Sequence, residues 1–245
     1  MFERSRKFVS MDIQLEAVKL SKNLLKTIFL ETLRRKSLNR ILRDYTCAQE
    51  ELSGRILDLG SGSDSPSYKK YLRCKEPFSI VYSDYYEEGT NLVKIDLEKP
   101  FAIENDSYDF VTCFSVLEHI YDYRNVIRES SRILKRGGRF IGSTPFLHIF
   151  HPDPYDYYRY THQALIRMFA EANFTCEKMV YLGFGPFSAA ISHWVTILPA
   201  IVREVFVFPA LCLDVLLGKF TKSPVMRYAL NYFYVFRKSE FNLGH

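Results

Sequence analysis

The stretch Arg55-Ile56-Leu57-Asp58-Leu59-Gly60-Ser61-Gly62-Ser63 decides the fold. A short apolar run ends in an acid and enters two glycines one residue apart. This is the pattern of a buried strand feeding a tight turn. Glycine suits the turn because it tolerates φ > 0 and lets a ligand come close to the backbone. In open α/β sheets, nucleotide-like ligands bind in the crevice beyond such strand ends.

Strand-like runs follow the turn: Phe78–Ser83 ending at Asp84, Asn91–Ile95 ending at Asp96, Phe110–Phe114 and Arg139–Ser143. Between the last two, Val126, Ile127, Ile133 and Leu134 make the apolar stripe of a helix over Arg124–Leu134. Gly137-Gly138 is expected to stop that helix. Thr161 is an expected N-cap for a helix reaching Ala172. Upstream, Asp12 to Tyr45 has helical spacing with no Pro or Gly, and reads as helix. Cys176–Leu182 and Tyr232–Arg237 read as two further strands. Alternating strands and helices predict an α/β fold, a mostly parallel sheet with helices on both faces. The expected division is an N-terminal helical cap over 1–53 and a main domain over 54–245, with an apolar insertion at 183–230. Within the insertion, Phe187–Val202 and Val205–Leu217 fall short of the roughly 20 apolar residues that span a bilayer. Pro199, Arg203, Glu204, Pro209 and Asp214 interrupt them.

With 245 residues and 47% apolar content, the chain can bury a full core. Its five cysteines are scattered with no CxxC pair, which points to reduced thiols in a cytoplasmic setting; no metal site is expected. Phe2–Arg43 carries charges throughout and has no signal-peptide core. Net charge is +5, and residues 1–53 hold 11 Lys/Arg against 7 Asp/Glu. Such a segment is either a solvated helix face or a contact for anionic lipid.

A nucleoside ligand would use the close approach at Gly60–Ser63. Asp84 lies 26 residues after Asp58, near the spacing of a ribose-binding acid. Asp96 is placed to reach a base edge. A dinucleotide fingerprint, GxGxxG, would need glycine where Ser65 stands. The reading is therefore a nucleoside without phosphates.

These segments resemble the class I S-adenosylmethionine-dependent methyltransferases (type 11-like). The resemblance runs through ILDLGSGS, the YSD ending at Asp84, IDL at Ile95–Leu97, YDFVTCFSVLEHI at Tyr108–Ile120 and ILKRGGRFIGSTP at Ile133–Pro145. It implies a Rossmann-like, seven-stranded sheet and S-adenosyl-L-methionine as cofactor. It implies that Asp58, Gly60 and Gly62 surround the methionine part, that Asp84 binds the ribose, and that Asp96 and Leu97 bind the adenine. Ser115 would sit under the sulfonium, and Glu118-His119 would flank the methyl. A third glycine common in this loop is Asp64 here. A hydroxyl acceptor benefits from a general base near neutral pKa, and His119 and His151 are the candidates; His148 could be a loop residue with no role.

The segment His151–Thr161 resembles the HxxPxDYxRYT stretch of methyltransferases of cell-surface polysaccharide and glycolipid biosynthesis. That likeness points to Asp156, Arg159 and Tyr160 as acceptor-binding residues. The alternative for Asp156 and Arg159 is an i,i+3 pair that staples a helix start. The expected reaction is methyl transfer to an oxygen of a glycan or lipid-linked saccharide. A quinone- or lipid-type small molecule is the second acceptor class, and a non-catalytic cofactor-binding membrane partner is the third reading. The insertion is either extra core or a membrane-contacting lid, which would make the protein peripheral on the inner face of the membrane. A hydride-transfer enzyme would need a Tyr-x-x-x-Lys pair beyond the middle strands, where this chain has none. Nucleic acid is not an expected partner, because the basic excess is modest and no Asn-Pro-Pro-Tyr-like motif follows the fourth strand.

Overall fold

The computed structural model describes residues 15–220 and 225–240. Eight strands form one sheet: β1 (Leu15–Ala17), β2 (Glu51–Asp58), β3 (Arg73–Asp84), β4 (Leu92–Lys94), β5 (Tyr108–Phe114), β6 (Leu134–Pro145), β7 (Phe174–Leu182) and β8 (Asn231–Lys238). Their spatial order is β1-β7-β8-β6-β5-β2-β3-β4. Only β8 runs antiparallel to its neighbours, β6 and β7. The glycine turn after β2 therefore opens beside the C-terminal ends of β3 and β5, where the strand order reverses direction. That is the switch-point crevice expected for a doubly wound sheet.

Six helices cover the faces: α1 (Lys22–Leu33), α2 (Leu38–Cys47), α3 (Tyr123–Ile133), α4 (His162–Ala170), α5 (Pro186–Trp194) and α6 (Ala200–Phe220). Neighbouring residues of each strand point to opposite sides. Leu57, Val111, Phe140 and Tyr234 pack with α3 and α4. Ile56, Phe110, Ile141 and Val235 pack with α1, α2, α5 and α6. The N-terminal helices and the apolar insertion thus share one core with one face of the sheet.

The expected helix over Asp12–Tyr45 is corrected in two places. Residues 12–14 lie outside the described residues. Leu15–Ala17 instead form β1, an eighth strand parallel to β7, paired Leu15 to Met179. The helical remainder breaks in two at Arg35, whose φ is 64. Each half has its own serine cap: Ser21 Oγ accepts from the Leu24 amide at 3.1 Å and Ser37 Oγ from the Arg40 amide at 3.4 Å. A side-chain oxygen there satisfies an amide that the helix leaves unpaired. Gly137-Gly138 do not stop α3 either. The helix ends at Ile133, β6 starts at Leu134, and Gly137, with φ 72, sits within the strand. Thr161 caps α4 as the sequence indicates, accepting from the Ala164 amide at 3.2 Å.

The charges inside the insertion are its fasteners. Asp214 is buried and caps α5, accepting from the amides of Phe187 at 2.9 Å and Ser188 at 2.8 Å. Arg203 is buried and donates to the carbonyls of Leu198, Arg35 and Thr196, tying α6 to the break between α1 and α2. Among the described residues, no helix is long and apolar enough to cross a membrane.

Candidate active site

A cleft of about 390 Å³ opens over the C-terminal ends of β2 and β5. One wall is the glycine loop, Gly60–Ser63, with Ser65–Tyr68. The opposite wall comes from α2, through Asn39, Arg40 and Arg43. Ser115, His119, Pro145, His148, His151 and Asp153 close the far end.

The loop is shaped by glycine at two points. Gly60 and Gly62 take φ of 65 and 70, in the left-handed region. A Cβ on Gly60 would lie 2.8 Å from Val116 Cγ1, so only glycine fits there without a shift. A Cβ on Gly62 would meet nothing within 4 Å, so that position faces open space. The loop is tied to β3 by the Gly60 amide donating to Ser83 Oγ at 3.1 Å and the Ser61 amide to Ser83 O at 2.9 Å. The amides of Gly62 and Ser63 take no partner among the described residues and remain for a ligand.

Asp58 lies behind the loop rather than on the cleft wall. It is fully buried, and its carboxylate accepts from Thr112 Oγ1 and from the Tyr68 hydroxyl, each at 2.7 Å. Burial pushes its pKa up to about 6, against the lowering effect of those two hydrogen bonds. Asp58 therefore fastens Tyr68, which lines the cleft, to β5. Ser115 does line the cleft, with φ 55.

Asp84 and Asp96 lie off the cleft's main wall, along the adjoining strand ends. The Ile95 amide donates to Asp84 O at 2.8 Å, which keeps the two acids neighbours. Asp84 Oδ1 accepts from the amides of Tyr86 at 2.7 Å and Glu87 at 2.9 Å. Its Oδ2 has no partner among the described residues. Asp96 accepts from the Glu98 amide at 3.0 Å and pairs with Lys99 at 3.0 Å. Leu97 is buried in the core, with its carbonyl taken by Asn125 at 2.8 Å. Ser115, the glycine loop, Asp84 and Asp96 thus follow one another across the ends of β5, β2, β3 and β4.

Glu118 and His119 sit in a short 3-10 turn just after β5. The amides of Tyr157 and Tyr158 donate to the Glu118 carbonyl at 2.8 and 3.2 Å, which docks the His151–Tyr160 segment over this turn. That docking sets the His119 and His151 rings edge to face, 5.0 Å apart. His148 meets His151 edge to face at 4.6 Å, and burial lowers its pKa to about 4. Glu118 is completely buried beneath them, and neither carboxyl oxygen has a hydrogen-bond partner among the described residues. Burial raises its pKa to about 8.

Asp156, Arg159 and Tyr160, expected to grip an acceptor, are engaged with the protein itself, as the alternative of an Asp156–Arg159 i,i+3 pair expects. Arg159 makes a bidentate pair with Asp156, at 2.5 and 2.7 Å, and also donates to the carbonyls of Tyr158 and Ile149. This holds the Asp156 carboxyl well below the usual range. Tyr160 is buried against Tyr123 and donates to Leu117 O at 3.2 Å. None of the three lines the cleft. Sequence reasoning missed Asn39, Arg40 and Arg43; their signal was the polar side of α2, opposite Leu38, Ile41 and Leu42.

A methyltransferase-domain family matches residues 29–178, more than half of the chain. The chain belongs to that methyltransferase family. A ubiquinone biosynthesis O-methyltransferase of Xanthomonas oryzae pv. oryzae is 31% identical over 127 residues, covering 44% of this chain and 50% of that protein. The chain thus spans about half the length of the curated relatives it matches. The S-adenosylmethionine-dependent methyltransferase of Mesorhizobium loti shares the fold at a TM-score of 0.50 and 15% identity, over 80% of this chain and 97% of that one. The [4+2]-cyclase SpnF shares it at 0.53 and 12%, over 82% and 80%. S-adenosylmethionine is the methyltransferase cofactor, and the residues present fit it. The amides of Gly62 and Ser63 and the cations of α2 suit its charged methionine end, and Asp84 Oδ2 suits a ribose hydroxyl. The family match ends at residue 178, before α5 and α6.

Proposed function

We propose that this methyltransferase moves the methyl of S-adenosylmethionine to a hydroxyl oxygen of a small, lipophilic, quinone-type acceptor. The cofactor supplies a methyl already activated on a sulfonium. The chain's work is to align the acceptor oxygen with it, exclude water and accept or relay a proton. The observation that carries the reading is the histidine end of the cleft, where His119 and His151 stand beside Ser115. Histidine suits proton removal from a hydroxyl near neutral pH. Asp156 and Arg159 pair with each other and do not line the cleft, so this reading gives them no contact with the acceptor. The quinone class is supported by the O-methyltransferase relatives.

A lipophilic acceptor also suits the apolar flank. Ile197, Ile201, Val205 and Phe220 are 82%, 74%, 66% and 85% exposed, and Phe29, Leu30 and Leu33 of α1 are exposed as well. Such a face would lie on a bilayer surface, with the basic N-terminal segment adding attraction to anionic lipid. The test is methyl transfer from labelled S-adenosylmethionine to a catechol-type phenol, set against a free saccharide. Turnover of the saccharide alone would overturn the acceptor class. Sedimentation with anionic liposomes should fall in Ile201→Glu/Val205→Glu; undiminished binding would remove the membrane contact.

A further inference from the structure

We propose that Glu118, His119 and His151 form a binding site for one divalent transition-metal ion at the acceptor end of the cleft. His119 Nε2 lies 3.8 Å and His151 Nε2 3.9 Å from Glu118 Oε1, and the three ligand atoms all fall within 4.8 Å of one another. An ion centred in a triangle with sides up to 4.8 Å sits about 2.5 Å from each corner, against about 2.0–2.2 Å for metal–N and metal–O bonds. Closing each ligand by a few tenths of an ångström completes the site.

Two independent features point to a ligand there. The first is Glu118, fully buried with both carboxyl oxygens unpartnered among the described residues. A buried polar group without a partner is unfavourable, and buried charges are normally paired or bound to metal. The second is the outer arrangement of the two rings. His119 Nδ1 lies 2.5 Å from Tyr155 O, and His151 Nδ1 lies 3.0 Å from Ile149 O. Each carbonyl holds a proton on Nδ1 and so leaves a lone pair on Nε2, the nitrogen that faces Glu118. Asp156 Oδ2 stands 3.3 Å from His151 Nδ1 and is itself held by Arg159. A ligating histidine characteristically donates its other N–H to a carbonyl or carboxylate in this way. The inward-facing Asp156–Arg159 pair thereby gains a use, as the support of a ligand. Two imidazoles and a carboxylate select zinc, cobalt, manganese or iron over magnesium. The sequence showed no such site because the ligands carry no CxxC or HxxxH spacing and come from two segments.

His119 and His151 line the cleft, so the ion's remaining positions open onto it. Resting on the proposed hydroxyl methylation, the ion would take the place of a histidine base: with both Nε2 lone pairs on the metal, it would bind the acceptor oxygen and favour loss of its proton to solvent. That oxygen then bonds to the methyl carbon as the carbon–sulfur pair leaves with sulfur, giving S-adenosylhomocysteine. The test is a Co²⁺ titration of tag-free protein, read by visible absorption and calorimetry, with S-adenosylmethionine affinity measured separately in chelator. We expect one Co²⁺ per chain, displaced by Zn²⁺ and not by Mg²⁺. His119→Ala, His151→Ala and Glu118→Gln should each weaken binding about tenfold or more, since even outer-shell losses cost about 10–100-fold. His162→Ala, outside the cleft, should not. Glu118→Gln keeps the shape, and its melting temperature should no longer rise with Zn²⁺. Absence of stoichiometric Co²⁺ binding, or binding unchanged in His119→Ala/His151→Ala, would overturn the site. Retained cofactor affinity in the same protein would leave the methyl-transfer reading standing, and its loss would remove that reading separately.

Discussion

Tyr68→Phe removes one hydroxyl and keeps the ring, which packs edge-on against Phe114 at 5.1 Å. The hydroxyl is one of two donors to the fully buried Asp58 carboxylate, at 2.7 Å. At pH 7 that carboxyl, whose pKa is about 6, is mostly ionised. Losing a hydrogen bond to a buried charge costs about 2–3 kcal/mol. At pH 5 the carboxyl is protonated in both proteins, and the loss shrinks to about 1 kcal/mol, that of a neutral hydrogen bond. The sign follows from the direction of the shift. Removing a donor raises the Asp58 pKa further, so the variant binds its proton more tightly and is penalised chiefly above about 6. Urea unfolding at pH 5 and pH 7, with and without Asp58→Asn, measures both quantities. In the Asp58→Asn background the cost at pH 7 should fall to about 1 kcal/mol or less. An equal cost at both pH values, or a full cost in the Asp58→Asn background, would refute the coupling between this acid and the cleft wall.

Asp84→Ala should weaken S-adenosylmethionine binding about tenfold by calorimetry while changing stability little, since the side chain's only partners among the described residues are two turn amides; unchanged affinity would remove its ribose role. Gly60→Ala forces a left-handed φ on a residue with a Cβ and presses it on Val116, so unfolding free energy should drop by about 2 kcal/mol and cofactor affinity with it. Asp214→Ala uncaps α5 and leaves one buried and one part-buried amide unpaired, for a loss of about 1–2 kcal/mol in urea; a neutral result would mean that water replaces the cap.

The α/β class, the strand cores and the glycine turn were legible because each depends on consecutive residues. The short buried runs Ile56–Asp58 and Phe110–Phe114, and φ > 0 at Gly60 and Gly62, are local properties. The serine caps at Ser21 and Ser37 were equally local, yet the unbroken apolar spacing hid the αL break at Arg35 and the strand at Leu15–Ala17. That strand forms only because β7 offers a free edge.

Partnership between distant residues lay outside the sequence's reach. Thr112 meets Asp58 because β5 pairs with β2 in one register. His151 meets Glu118 because two tyrosine amides dock on one carbonyl. Arg159 and Asp156 pair within that docked segment, off the cleft lining. Motifs name the residue types a site needs, whereas long-range register and loop docking decide which of them face the cleft and which hold the others in place.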